Sequence, residues 1–251
     1  MNISTAKKEL LNGTKKTELV LENLVEHLSY LEKIPAKKAD VAIEQALLHF
    51  NEYHLVKCLK SLIRNPDSEL SKGVADKSYL HGNGFYKLVL FISGKKEKLR
   101  IHFWPGGVDA EENIHCHRWS FSSLIIHGKL NSEIYKEDSS RDANSHKCYL
   151  YRKTPQEASS IFLGDIKLSV ENKKKQKAGD FYRLPQGKLH RIIGSDKGST
   201  ATIMYQSSPT KAWNSLITTN THIKPNLNPP KLTTSQLNSC LVKLVTVLEK
   251  K

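Results

Sequence analysis

Apolar residues recur at helical steps through the N-terminal part of the chain. Leu19, Val20, Leu24, Leu28 and Leu31 fall on one face of a helix that begins near Thr17 and stops at Pro35. Val41, Ile43, Ala46, Leu47 and Phe50 mark a second helix. Leu55, Val56, Leu59, Leu62 and Ile63 mark a third, which ends before Asn65-Pro66 because the residue preceding a proline is pushed out of the helical region. Residues 1–76 therefore read as a helical unit whose apolar faces are covered by the rest of the chain or by a second copy in a homodimer. The third helix spends its apolar positions on packing and leaves only Lys57, Lys60 and Arg64 for solvent, so it does not have the pattern of a helix that reads DNA.

Past Gly82 to Gly84 the period changes from helical to strand-like. Phe85 to Ile92 is mostly apolar, Ser93 to Lys98 reads as a hairpin turn, and Leu99, Ile101 and Phe103 then alternate with Arg100, His102 and Trp104. The pattern leaves open which of the two sets faces inward. Pro105-Gly106-Gly107 breaks that strand and an acidic loop follows from Asp109 to Glu112. Further strands are expected at Asn131 to Lys136, Cys148 to Arg152, Ser160 to Leu163, Ile166 to Val170, Phe181 to Leu184, Lys188 to Ile193 and Ala201 to Gln206. Glu137 to Lys147 reads as an exposed loop and Lys173 to Lys177 as a basic turn. Residues 77–210 thus hold enough strands for a jelly-roll barrel. In residues 211–251 a proline-rich linker, Pro225 to Pro230, precedes a helix from Thr233, opened by the capping box Thr233-x-x-Gln236 and striped by Leu237, Leu241, Leu244 and Leu248.

Composition narrows the class without fixing the function. A chain of 251 residues buries a sizeable core, and its formal charge of +14 favours anionic partners in general. The excess is mainly lysine in short scattered runs with little aromatic interleaving, which reads as solvated surface more than as a nucleic-acid footprint. Cys58, Cys116, Cys148 and Cys240 show no paired spacing, the N-terminus has charges where a signal peptide needs an apolar run, and no stretch approaches a membrane span. A reduced, cytoplasmic setting is expected.

The chemistry gathers in two stretches. In Asn113 to Leu130, His115 and His117 are two residues apart, which on a strand puts both imidazoles on one face, with Trp119 and Phe121 on the same parity. In Gly179 to Gly194, His190 follows a Pro185-x-Gly187 turn. Together these stretches resemble the two motifs of the cupin superfamily, over about Tyr79 to Gln206. His115, His117 and Gly128 fall on the first motif, and Gly179, Pro185, Gly187 and His190 on the second. The chain departs from the pattern at Asp109, where the family has a glycine, at Phe121, where it has a metal-binding glutamate, and at Gly194, where it has an asparagine.

The resemblance implies a mainly β cupin jelly-roll with helices added at both ends, and a divalent metal on His115, His117 and His190. A three-histidine site without the glutamate is similar to the thiol dioxygenases of the cysteine dioxygenase group, as is the string LRIHFWPGG before the histidine pair. On that likeness the metal is Fe(2+), with Zn or Mn as substitutes, and the reaction is oxygen-dependent oxidation of a small anionic, thiol-bearing substrate. Dioxygen is the co-substrate and Tyr205 the catalytic tyrosine. Arg100, His102 and Arg183 are the candidates for holding the substrate's acid group, and Trp119 and Phe121 exclude water. Two alternatives stand beside this reading: a non-oxidative metal-dependent isomerase or hydrolase, and a cupin that binds a small ligand without turnover.

Overall fold

The computed structural model describes residues 3–82, 84–106, 112–153, 158–193, 198–210, 213–218 and 229–250. The greater part of the expected acidic loop (109–111) and of the linker (225–228) lies outside these residues. The N-terminal stripe forms α1 (Ile3–Leu31), α2 (Ala36–Phe50) and α3 (Val56–Arg64), with Asn51–Leu55 wound as a π-helical turn between the last two, and α4 (Glu69–Ala75) follows. Helix α1 begins earlier than Thr17. Pro35 fills the position just before α2, where its missing N–H costs nothing. The C-terminal helix α5 (Thr234–Glu249) has the full capping box, the Thr233 hydroxyl accepting from Gln236 N and the Gln236 side chain accepting from Thr233 N. Among the described residues no helix is long and apolar enough to cross a membrane.

Twelve strands are described: β1 (Tyr79–Leu80), β2 (Tyr86–Ile92), β3 (Lys98–Trp104), β4 (Ile114–His115), β5 (Phe121–His127), β6 (Lys129–Glu137), β7 (Asn144–Lys153), β8 (Ala158–Lys177), β9 (Phe181–Leu184), β10 (His190–Ile193), β11 (Thr200–Gln206) and β12 (Trp213–Thr218). They form a six-stranded sheet in the order β1-β2-β3-β11-β5-β9 and a second sheet, β10-β4-β12-β7-β8-β6, that closes on itself. All the pairings are antiparallel. Three expectations need correction. Part of the expected loop, Asn144 to Lys147, belongs to β7; the supposed basic turn Lys173 to Lys177 is the end of the 20-residue β8, paired with β6; and β12 had no counterpart in the sequence reading.

The alternation on β3 is resolved by what covers each face. Leu99, Ile101 and Phe103 join Leu88, Leu124, Ile126 and Ile203 in one continuous core with Leu21, Val25 and Leu28 of α1, Ile43 and Leu47 of α2, and Leu241 and Leu244 of α5. The helices thus seal the outer face of the six-stranded sheet. Each large side chain buried there contributes about 1.5–3 kcal/mol. Arg100, His102 and Trp104 are left on the opposite face, the interior of the jelly-roll. The register extends these rows across the sheet, placing Phe121, Gln206 and Lys98 in one interior row, Ser123, Met204 and Arg100 in the next, and Ile125, Thr202 and His102 in a third.

Candidate metal centre

His115 ends β4 and His190 begins β10, and the two are direct partners in the antiparallel ladder. Their rings therefore leave neighbouring strands on the same side, with centroids 4.5 Å apart. His117 lies two residues on, its ring 4.8 Å from that of His115 and 5.0 Å from that of His190. The motif's turn ties the two stretches together: Gly187 N donates to His117 O at 3.0 Å, and Gln186 N donates to Ser120 Oγ at 3.1 Å. Gly187 has φ +79°, a conformation that glycine adopts freely.

One ligand nitrogen from each of the three histidines lies within 4.8 Å of the other two. Metal–nitrogen bonds of about 2 Å bring such atoms to roughly 3–3.5 Å, so the trio is assembled and needs only a small inward movement. The donor chemistry fits a metal. His115 Nδ1 lies 2.9 Å from Asn113 O and His190 Nδ1 3.1 Å from Lys188 O. A carbonyl only accepts, so Nδ1 is the nitrogen that carries the proton in the neutral form of each ring, and Nε2 is the one left to bind a metal. The same arrangement orients ligating histidines in metalloproteins. Burial, joined by the neighbouring imidazoles, holds His117 far below the usual histidine range and His190 down to about 3. Both rings are neutral, as ligands must be.

Around the trio the wall is aromatic. Trp119 stacks on His117 with centroids 5.1 Å apart and planes within 11°, while Phe121 lies 5.4 Å from His117 and 5.7 Å from His190. Phe121 is buried among Ile134, Leu184 and Met204, so a hydrocarbon occupies the side on which the cupin pattern has a carboxylate.

The remaining sequence candidates divide by face. Arg100 is 3% exposed, its guanidinium 5.7 Å from the Trp119 ring and its Nη2 3.3 Å from Met204 Sδ, and Nε has no partner. Burial pushes its pKa down to about 10. His102 lies a row further along, against Phe85 at 4.9 Å, with Nε2 unpartnered and burial keeping the ring neutral.

Tyr205 and Arg183 are corrections. The register aligns Leu99, Tyr205, Ser122 and Arg183 in one row on the helix side. Tyr205 Oη is 3.4 Å from Glu97 Oε1, and Arg183 pairs with Glu32 at 3.1 Å and Asp40 at 2.8 Å. Arg183 ties α2 and the residue after α1 to the sheet, Tyr205 joins Glu97, which accepts from Ser29 Oγ of α1 at 2.6 Å, and both side chains face away from the histidines. The sequence reading missed Met204, Ser123 and Thr202 on the interior, although the parity of β11 and β5 relative to Arg100 and Phe121 is the signal that locates them.

No protein-family model matches the chain, and no curated protein matches it in sequence. Among solved structures it is similar to a conserved protein with a double-stranded β-helix domain from Klebsiella pneumoniae, with 12% identity, a TM-score of 0.33 and coverage of 54% of this chain and 86% of that one. It is similar to an RmlC-like cupin from Shewanella frigidimarina, with 14% identity, a TM-score of 0.34 and coverage of 58% and 95%. A hydroquinone 1,2-dioxygenase from Sphingomonas sp. TTNP3 matches at 12% identity and a TM-score of 0.30, over 49% of this chain and 65% of that one. At these values the chemistry has to be argued from the site itself. The strand order is that of a jelly-roll, with three histidines gathered on its interior. Beside the trio stand Phe121, where the cupin pattern has a carboxylate, and the buried Arg100.

Proposed function

We propose that the protein is a metal-dependent cupin enzyme, a non-haem Fe(II) dioxygenase acting on a small anionic substrate. The supporting observation is the tautomer of His115 and His190, which the Asn113 and Lys188 carbonyls fix with both Nε2 lone pairs free. When bound, a divalent first-row ion supplies open coordination positions and a Lewis-acid or redox centre. His115, His117 and His190 hold it as neutral ligands. With Phe121 beside them instead of a carboxylate, the centre keeps its full positive charge and favours a thiolate or carboxylate. Arg100 offers a desolvated guanidinium to the substrate's acid group, and such a pairing is strong where water is excluded. Trp119 and Phe121 exclude that water.

The test is metal analysis and oxygen uptake after anaerobic purification. The chain is expected to hold one iron ion and to consume oxygen with a member of a panel of thiols, amino acids and keto acids. His190→Ala is expected to lose both properties. Stoichiometric zinc with no oxygen uptake across the panel would replace the dioxygenase reading with a non-oxidative or purely ligand-binding cupin.

A further inference from the structure

The interior face carries more positive charge than one carboxylate balances. Lys98 shares the parity of Arg100 on β3, and the register sets Lys87 of β2 opposite His102 on that same face. Arg100 and Arg118 both lie over the Trp119 ring, at 5.7 and 5.5 Å, and Trp119 stacks on His117. Lys87 and Lys231 both lie over the Tyr79 ring, at 5.6 and 4.9 Å. The series runs inward: Lys231 is exposed, Lys87, Lys98 and Arg118 are half-buried, and Arg100 is buried.

Among the described residues no carboxylate pairs with Lys98 or Arg100. Burial first, and then Arg100, Lys87, Arg118 and Lys231, all of its own sign, push the Lys98 ammonium down to about 8. A half-buried ammonium and a buried guanidinium on one interior face, neither paired with a carboxylate among the described residues, make a site whose counter-charge arrives with the ligand.

Arg100 alone can take a carboxylate through two parallel hydrogen bonds. The further cations call for a compact group with close to two negative charges and several acceptor oxygens, and a phosphoryl group has both. The increase of burial along the strip suits a terminal group on a small molecule better than the backbone of a polymer. We propose that this strip binds the phosphoryl group of a small phosphorylated substrate, whose other end reaches the histidine trio past Trp119. This rests on reading the interior face as the substrate site, but phosphoryl binding itself needs no metal.

Calorimetric titration of the full chain at low ionic strength tests it, with inorganic pyrophosphate and glycerol 3-phosphate as probes and inorganic phosphate, acetate, succinate and a short single-stranded oligonucleotide as comparisons. Both phosphate probes are expected to bind one per chain, at least about tenfold tighter than acetate or succinate. Free phosphate as the natural ligand, in place of a phosphorylated substrate, would show as inorganic phosphate binding tighter than glycerol 3-phosphate, and that ordering rejects the substrate claim. The Lys87→Met/Lys98→Met double variant is expected to bind pyrophosphate about tenfold or more weakly, and Lys98→Met alone to melt no lower than the native chain, since the folded protein disfavours that ammonium. The native chain treated with a chelator is expected to bind pyrophosphate unchanged, so a failed metal assay and a failed phosphate assay are told apart. Pyrophosphate binding no tighter than acetate, binding unaffected by the double variant, or an oligonucleotide that outcompetes both phosphate probes overturns the proposal.

Discussion

At the residue scale, the face a side chain occupies decides its role. Tyr205 and Met204 are adjacent on β11, yet one faces the helices and the other the interior beside Arg100. Burial and the nearby Glu32 and Glu97 carboxylates raise the Tyr205 pKa, so its hydroxyl stays protonated and acts as an interface group. Tyr205→Phe is expected to leave metal content and turnover within about twofold of the native chain and to cost about 1 kcal/mol or less in denaturant unfolding. Arg100→Met should behave oppositely, raising KM about tenfold with metal content unchanged, the equivalent of about 1.4 kcal/mol. A Tyr205→Phe enzyme without activity would return the tyrosine to the site. The histidines were legible because their spacing and the Pro185-x-Gly187 turn are local features of the sequence. Tyr205 and Arg183 were not, because each sits one residue from an interior position and only the register across three strands separates the two faces.

At the element scale, the chain shows what periodicity can and cannot convey. The α5 stripe and its capping box were plain in sequence, since both are encoded within a few residues. Strand β8 was not. Its Lys173, Lys174 and Lys175 have no alternation, and what makes them strand is the partner β6, where Glu133 takes Lys173 at 2.8 Å and Arg191 of β10 at 2.8 Å. Burial works against that carboxylate, but hydrogen bonds from Lys173, Tyr135 and Arg191 outweigh it and hold it at about 2. The turn between β5 and β6 is equally dependent on its surroundings. Gly128 has φ +76°, and an added Cβ there runs into the Ser199 carbonyl oxygen. Gly128→Ala is therefore expected to cost about 2–4 kcal/mol, read as a lower midpoint in urea with an unchanged slope. A midpoint shift under about 0.5 kcal/mol would show that the β5–β6 turn relaxes freely.

At the scale of the whole molecule, the +14 charge is not spread evenly over solvent, because part of it is turned inward along Lys98 and Arg100. This gives a pH signature. Lys98 is pushed down to about 8 in the folded protein against an ordinary 10.5, so below about pH 8 folding bears the full cost of its half-buried ammonium. Between about 8 and 10.5 the folded chain sheds that proton before the unfolded chain does, and this group's contribution to stability rises. Lys98→Met is expected to raise Tm at pH 7, with the gain shrinking as pH climbs through that window. Melting curves of the two proteins across the range test this, and a gain that grows toward pH 10.5 contradicts it.

The closure of the second sheet has a mechanical consequence. His190 is hydrogen-bonded in register to His115 on one side and to Ile134 on the other, so the hoop of strands is fastened at a residue that also belongs to the reactive centre. An ion held by those imidazoles would tie β4 to β10 a second time, so filling the trio would also stiffen the barrel.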